Sequence, residues 1–139
     1  MDMSAYVGVL FAKELGYGEV IDIGSGDGRI AFCGKVLGLE SFSIEIDDML
    51  VELQKHLTND FHPYCSDAGT FDYSSLNLMR PIFFIGGLAQ MGGTALASGV
   101  LEKIDSISNL KNIGWVFTGT YSQKYPLDPK NEAGWGTLI

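Results

Sequence analysis

Apolar and polar positions along this chain fall into short blocks whose periods predict strands and helices in alternation. Val7, Leu10, Phe11 and Leu15 recur at helical spacing within Ala5 to Leu15, placing one face on a core, and Gly16-Tyr17-Gly18 stops the run. Glu19 to Ile23 is a short apolar strand, followed after a glycine-rich turn by a helix from about Arg29 to Leu37 that ends at Gly38. Phe42 to Ile46 predicts a second strand; Asp47-Asp48 then supply the acids that favour a helix start, and Leu50, Leu53, Gln54 and Leu57 continue one stripe. Phe61 to Cys65 is a third strand, whose Pro63 suits a sheet edge. Asp72 to Leu78 is a short helix or a loop, closed by Arg80-Pro81. Ile82 to Ile85 is apolar on both faces, as in a central parallel strand; a helix over Ala95 to Ile104 and a fifth strand at Trp115 to Thr118 follow. The right-handed crossover rule makes the sheet parallel around the first strand, and residues 1–139 form one domain.

The chemistry concentrates between the first strand and its helix. Val20-Ile21-Asp22-Ile23 runs into Gly24-Ser25-Gly26-Asp27-Gly28, where every alternate residue is glycine, so the backbone can take positive φ and a ligand can approach where a Cβ would collide. The spacing is G-x-G-x-G rather than the G-x-G-x-x-G of a dinucleotide site. Asp22 and Asp27 beside the turn repel a phosphate and suit an ammonium or sulfonium. With this D-x-G-x-G-x-G motif the chain resembles the class I, seven-strand S-adenosylmethionine-dependent methyltransferases over roughly Glu19 to Thr118.

That resemblance implies a three-layer αβα sandwich with a mostly parallel sheet of order 3-2-1-4-5. The family usually adds a helix and an antiparallel strand pair after the fifth strand, and too few residues remain here, so the C-terminal strands are expected to be missing or trimmed. An edge left bare in this way is one that a second copy can cover, giving a homodimer. The cofactor implied is S-adenosylmethionine, held by Asp22, Gly24, Ser25, Gly26, Gly28, Glu45, Ile46, Asp67 and Ala68. Glu45 ends the second strand, where an acid accepts from both hydroxyls of a ribose; Asp67 ends the third, where it accepts from the adenine amino group with the Ala68 backbone beside it, or else closes an Asx turn. Asp47 is read as a helix cap, and Met49 and Leu50 as an adenine wall or as core. No catalytic residue is implied, since methyl transfer needs alignment and exclusion of water more than a protein nucleophile.

The acceptor is read from the segment after strand four. Ile85-Gly86-Gly87-Leu88 stands where members acting on exocyclic or amide nitrogens carry [D/N]-P-P-[Y/F], which argues against an adenine or glutamine nitrogen. The segment IFFIGGLA resembles the apolar strand and Asn-Asn-Phe-Ala of the non-SET histone lysine methyltransferases, with glycines for the asparagines. That resemblance implies a protein lysine as acceptor, a small molecule being the other reading; Tyr121 and Tyr125 are candidates to shape the acceptor pocket. Two other readings stay open: an idle methyltransferase-fold binding or regulatory module, and an NAD-dependent oxidoreductase on the same sheet.

Composition narrows the partners. Seventeen acids against nine lysines and arginines give a net charge of −8, with the cations scattered, which disfavours nucleic acid. No apolar run approaches the roughly 20 residues of a membrane span, and Met1-Asp2-Met3-Ser4 has no signal-peptide pattern, so the expected location is cytoplasmic. Cys33 and Cys65 are expected to be reduced, buried small residues, and no metal-ligand spacing occurs.

Overall fold

Val20, Ile21 and Ile23 are wholly buried because β1 (Glu19–Ile23) lies in the middle of the sheet with strands on both sides and side chains directed alternately to its two faces. A computed structural model describes residues 3–57, 61–86, 93–107, 113–118 and 136–138. β1 pairs in parallel with β2 (Glu40–Glu45) and with β4 (Pro81–Gly86). β3 (His62–Cys65) lies outside β2 at the edge, and β5 (Gly114–Thr118) outside β4, giving the parallel order 3-2-1-4-5. A further strand, β6 (Gly136–Leu138), pairs antiparallel with β5 through Trp115, Val116 and Phe117. The β5 edge expected to be bare therefore has a ladder partner from its own chain. Three residues of strand are too few for alternation to reveal.

Each sheet face carries its own core. On one, Val20, Ile82, Phe84 and Val116 meet Ala5, Val9 and Ala12 of α1 (Met3–Glu14) and Cys33 of α2 (Arg29–Val36). On the other, Ile21, Ile23, Ile44, Phe83, Ile85 and Trp115 pack with Val100 and Ile104 of α4 (Gly93–Asp105). Where an αβ unit would place a helix between β3 and β4, the chain instead uses Asp67 to Leu78 with a single 3-10 turn at Tyr73–Ser75, capped by Asp72, whose Oδ1 accepts from the Ser74 amide at 3.1 Å. Its rings extend the core: Phe71 sits edge-on to Tyr73 at 5.1 Å, Tyr73 edge-on to Phe83 at 6.0 Å, and Phe83 stacks on Trp115 at 4.8 Å. α3 (Asp48–Leu57) buries Val51 and Gln54.

α1 reverses its sequence reading. Phe11 is 65% exposed, and Val7 and Leu15 also face outward, while the buried face is the small one of Ala5, Val9 and Ala12. Small residues let the helix approach α2 and the sheet closely, so the bulky stripe turns away and walls an open groove of about 640 Å³ floored by Ile82 and Val116. Cys65, the last residue of edge strand β3, is likewise exposed, whereas Cys33 is buried as expected.

This packing assigns stability to the small face of α1. Val9→Ala should lower the unfolding free energy by about 2 kcal/mol, and Phe11→Ala should change it by less than about 0.5 kcal/mol, both read from urea unfolding; equal losses would contradict the orientation of α1.

Candidate functional site

β1 leaves the sheet through a turn that only glycine forms without strain. Gly24, Gly26 and Gly28 take φ of 69°, 59° and 82°, a region in which an L side chain crowds the backbone. The turn is sewn to the neighbouring strand: the amides of Gly24 and Ser25 donate to the Ile44 carbonyl at 2.9 and 3.3 Å, and the Gly28 amide donates to Ser25 O at 3.0 Å. The glycines differ in surroundings. A Cβ on Gly28 would lie 3.0 Å from the Gln54 side chain and 3.1 Å from the Phe61 ring, so this glycine allows α2 to start tight against its neighbours. A Cβ on Gly26 would meet nothing within 4 Å, so that residue presents bare backbone to open space.

Glu45 stands beside the turn because register puts Ile23 opposite Ile44, and the next residue of β2 falls alongside Gly24. It is only 5% exposed: Oε1 accepts from the Gly26 amide at 2.8 Å and Oε2 from the Asp47 amide at 3.0 Å. Asp47 in turn caps α3, its Oδ1 accepting from the amides of Met49 at 2.9 Å and Leu50 at 3.3 Å. Gln54, on the buried side of α3, donates from Nε2 to Ser25 Oγ at 2.9 Å and to the Gly26 carbonyl at 2.7 Å, and its Oε1 accepts from Ser43 Oγ at 2.6 Å. Sequence reasoning counted Gln54 in an apolar stripe and passed over Ser43; a polar residue repeating among leucines was the available signal.

The charges are less simple than a count of acids. Asp27 is bound by its own counter-charge, with Arg29 Nη2 donating to Oδ2 at 2.7 Å and Nε to Oδ1 at 3.1 Å, and this pairing holds its carboxyl below the usual range. The case for a cationic ligand therefore rests on Asp22 and Glu45 rather than on Asp27. Asp22 is 2% exposed, and burial, with the charges of Asp27 and Glu45 added, pushes its carboxyl up to about 8 against the opposing donation of the Ala31 amide. Its Oδ2 is buried without a hydrogen-bond partner among the described residues. An orphaned buried acceptor next to a glycine cradle is an environment that a cation or hydrogen-bond donor would satisfy.

The remaining expected site residues divide. Ile46 is exposed immediately beyond Glu45, and Met49, 78% exposed, is not core. Asp67 closes an Asx turn, its Oδ1 accepting from the Gly69 amide at 2.7 Å. Ala68 is buried, and its carbonyl accepts from the Tyr73 hydroxyl at 2.7 Å. The glycine segment 87–92, Tyr121 and Tyr125 lie outside the described residues. Among the described residues no cluster of His, Cys, Asp and Glu could hold a metal ion, and no helix is long and apolar enough to cross a membrane.

Sheet order, the strand-turn-helix cradle and the acid at the end of β2 together define the class I methyltransferase fold. No family model and no curated sequence matches the chain, but solved structures do. It is similar to the sugar N-methyltransferase KedS8 from Streptoalloteichus (TM-score 0.68, 15% identity, 91% of this chain against 51% of that one). It is also similar to the CcbJ methyltransferase from Streptomyces caelestis (0.66, 16%, 82% against 48%) and to a TehB-like S-adenosylmethionine-dependent methyltransferase from Corynebacterium glutamicum (0.65, 16%, 84% against 62%). The chain thus spans between 48% and 62% of the length of these three.

The raised Asp22 carboxyl makes a pH prediction. Between its unfolded value of 3.8 and its folded value of about 8, the folded state holds a proton that the unfolded state has lost, so stability falls as pH rises through this window. Urea midpoints should decline from about pH 5 to about pH 8, and Asp22→Asn should flatten that decline; an unchanged slope in the variant would place the titration elsewhere.

Proposed function

We propose that this chain binds S-adenosylmethionine at the carboxyl edge of its sheet and serves as the cofactor-binding part of a methyltransferase. The observation that carries the reading is the cradle itself: bare backbone at Gly26, a buried acid with an orphaned oxygen at Asp22, and Glu45 next to both. The fold of the similar structures supports it, and two of these are described as S-adenosylmethionine-bound, a glycopeptide N-methyltransferase and an amino pentose methyltransferase.

Each residue has a physically reasonable task. Gly24, Ser25, Gly26 and Gly28 give the ligand close access to backbone. Each Glu45 oxygen accepts one backbone amide and retains a lone pair, enough for the two hydroxyls of a ribose. Asp22 offers a buried acceptor to the ammonium of the methionine portion, and a cation there would draw the carboxyl toward ionisation. Ile46 and Met49 expose apolar surface beside Glu45 on which a planar base can rest, and the Asp67-Ala68 turn supplies polar groups at its rim. When bound, the cofactor supplies a methyl on a cationic sulfur, which leaves as a neutral thioether once an acceptor lone pair takes the methyl. The N-methyltransferases among the similar structures support a nitrogen acceptor on a small molecule; such an amine must be neutral to react.

Calorimetry with S-adenosylhomocysteine and NAD tests the reading: the first should bind and the second should not, and a folded sample that ignores the nucleoside at millimolar concentration would refute it. Glu45→Gln should cost about 1.5–3 kcal/mol of binding. Gly26→Ala should abolish binding while leaving a folded domain, because the added methyl strains the turn at a φ of 59° and projects into the space assigned to the ligand.

A further inference from the structure

We propose that Gln54 is a positioning residue for the cofactor turn, one that never touches the ligand but fixes the orientation of the peptide groups the ligand meets. The proposal rests on the preceding reading of the turn as the cofactor cradle. Glycine visits positive and negative φ with nearly equal ease, so a turn with glycine at alternate positions has several conformations close in energy, and peptide flips about Gly26 cost little. Here Gly26 is pinned from two sides by two elements. Its amide donates to Glu45 at the end of β2, and its carbonyl accepts from Gln54 on α3. The same Gln54 amide group holds the preceding residue through Ser25 Oγ, and Ser43 of β2 holds the acceptor end of Gln54. Both backbone polar groups of Gly26 are thus held by side chains that are themselves anchored at the end of β2 and in α3.

The residue type fits this task and fits a packing role poorly. Gln54 is 0% exposed on a helix face that sits over the sheet, where leucine or methionine would pack at no desolvation cost. An amide is the side chain that can donate twice from one end and accept at the other. A glutamate of the same shape would turn an acceptor toward the Gly26 carbonyl and bury a charge, and a lysine could not accept from Ser43. A fully satisfied buried polar network is the device that selects one conformation among near-equals. Gly28 completes the fit, since any side chain there would displace Gln54.

The expected effect follows from population. If the untethered turn spends a tenth of its time in the binding geometry, apparent affinity falls about tenfold with no ligand contact removed. Gln54→Met, close in shape and without the donors, should weaken S-adenosylhomocysteine binding in calorimetry by about tenfold and speed amide hydrogen exchange at Gly26 and Gly28 in the ligand-free protein. Val51→Ala, on the same helix and equally buried, should lower the unfolding midpoint and leave both readouts unchanged. Wild-type affinity in folded Gln54→Met, or a rise in exchange spread evenly over the core strands, overturns the proposal. In the unmodified chain the Gln54 side-chain amide protons should exchange slowly, and fast exchange there overturns it even if the variant does not fold. Failure of the wild-type chain to bind the nucleoside would refute the cofactor reading alone, because the exchange measurements judge the tether without ligand.

Discussion

Parallel pairing of β1 with β2 and β4 is the constraint on which the site depends. Ile23 lies between Ile44 and Ile85, so three strands end at one level and the chain leaves the sheet at adjacent points. The carbonyl of Ile44 then receives the first two amides of the turn, and Glu45, one residue on, reaches the Gly26 amide. A register slip of one residue would send Glu45 to the opposite face and Asp22 out of its layer. The apolar residues that hold this register, Ile21, Ile23, Ile44, Phe83 and Ile85, thus act on the site without taking part in it.

Burial gives the cradle its electrical character. Three acids stand near the turn, yet they are not equivalent: Asp27 is exposed and paired with Arg29, Glu45 spends its oxygens on backbone amides, and Asp22 is enclosed with one oxygen unanswered. Desolvation favours the neutral form of Asp22, and the donation of the Ala31 amide offsets that cost only in part.

Some elements were legible because their signals are local. The five strand segments, the helix following the glycine turn and the edge position of the strand with Pro63 came from apolar blocks, glycines and a missing amide. Asp47 read correctly as a cap, for a cap is set by residues two or three apart. α1 did not read correctly: Val7, Phe11 and Leu15 make the larger apolar face, but closeness of packing between α1, α2 and the sheet selected Ala5, Val9 and Ala12. β6 carries three residues and no pattern, and only the β5 ladder identifies it.

The sequence by itself determined the αβ alternation, the glycine turn and the acids at the strand ends, because periodicity, positive φ and strand length are properties of neighbouring residues. Tertiary structure alone decided that Glu45 and Gln54 grip opposite sides of Gly26 and that Asp22 loses its water. Such facts join residues up to 28 positions apart, and hydrogen bonding and desolvation depend on distance in space, which spacing along a chain does not fix.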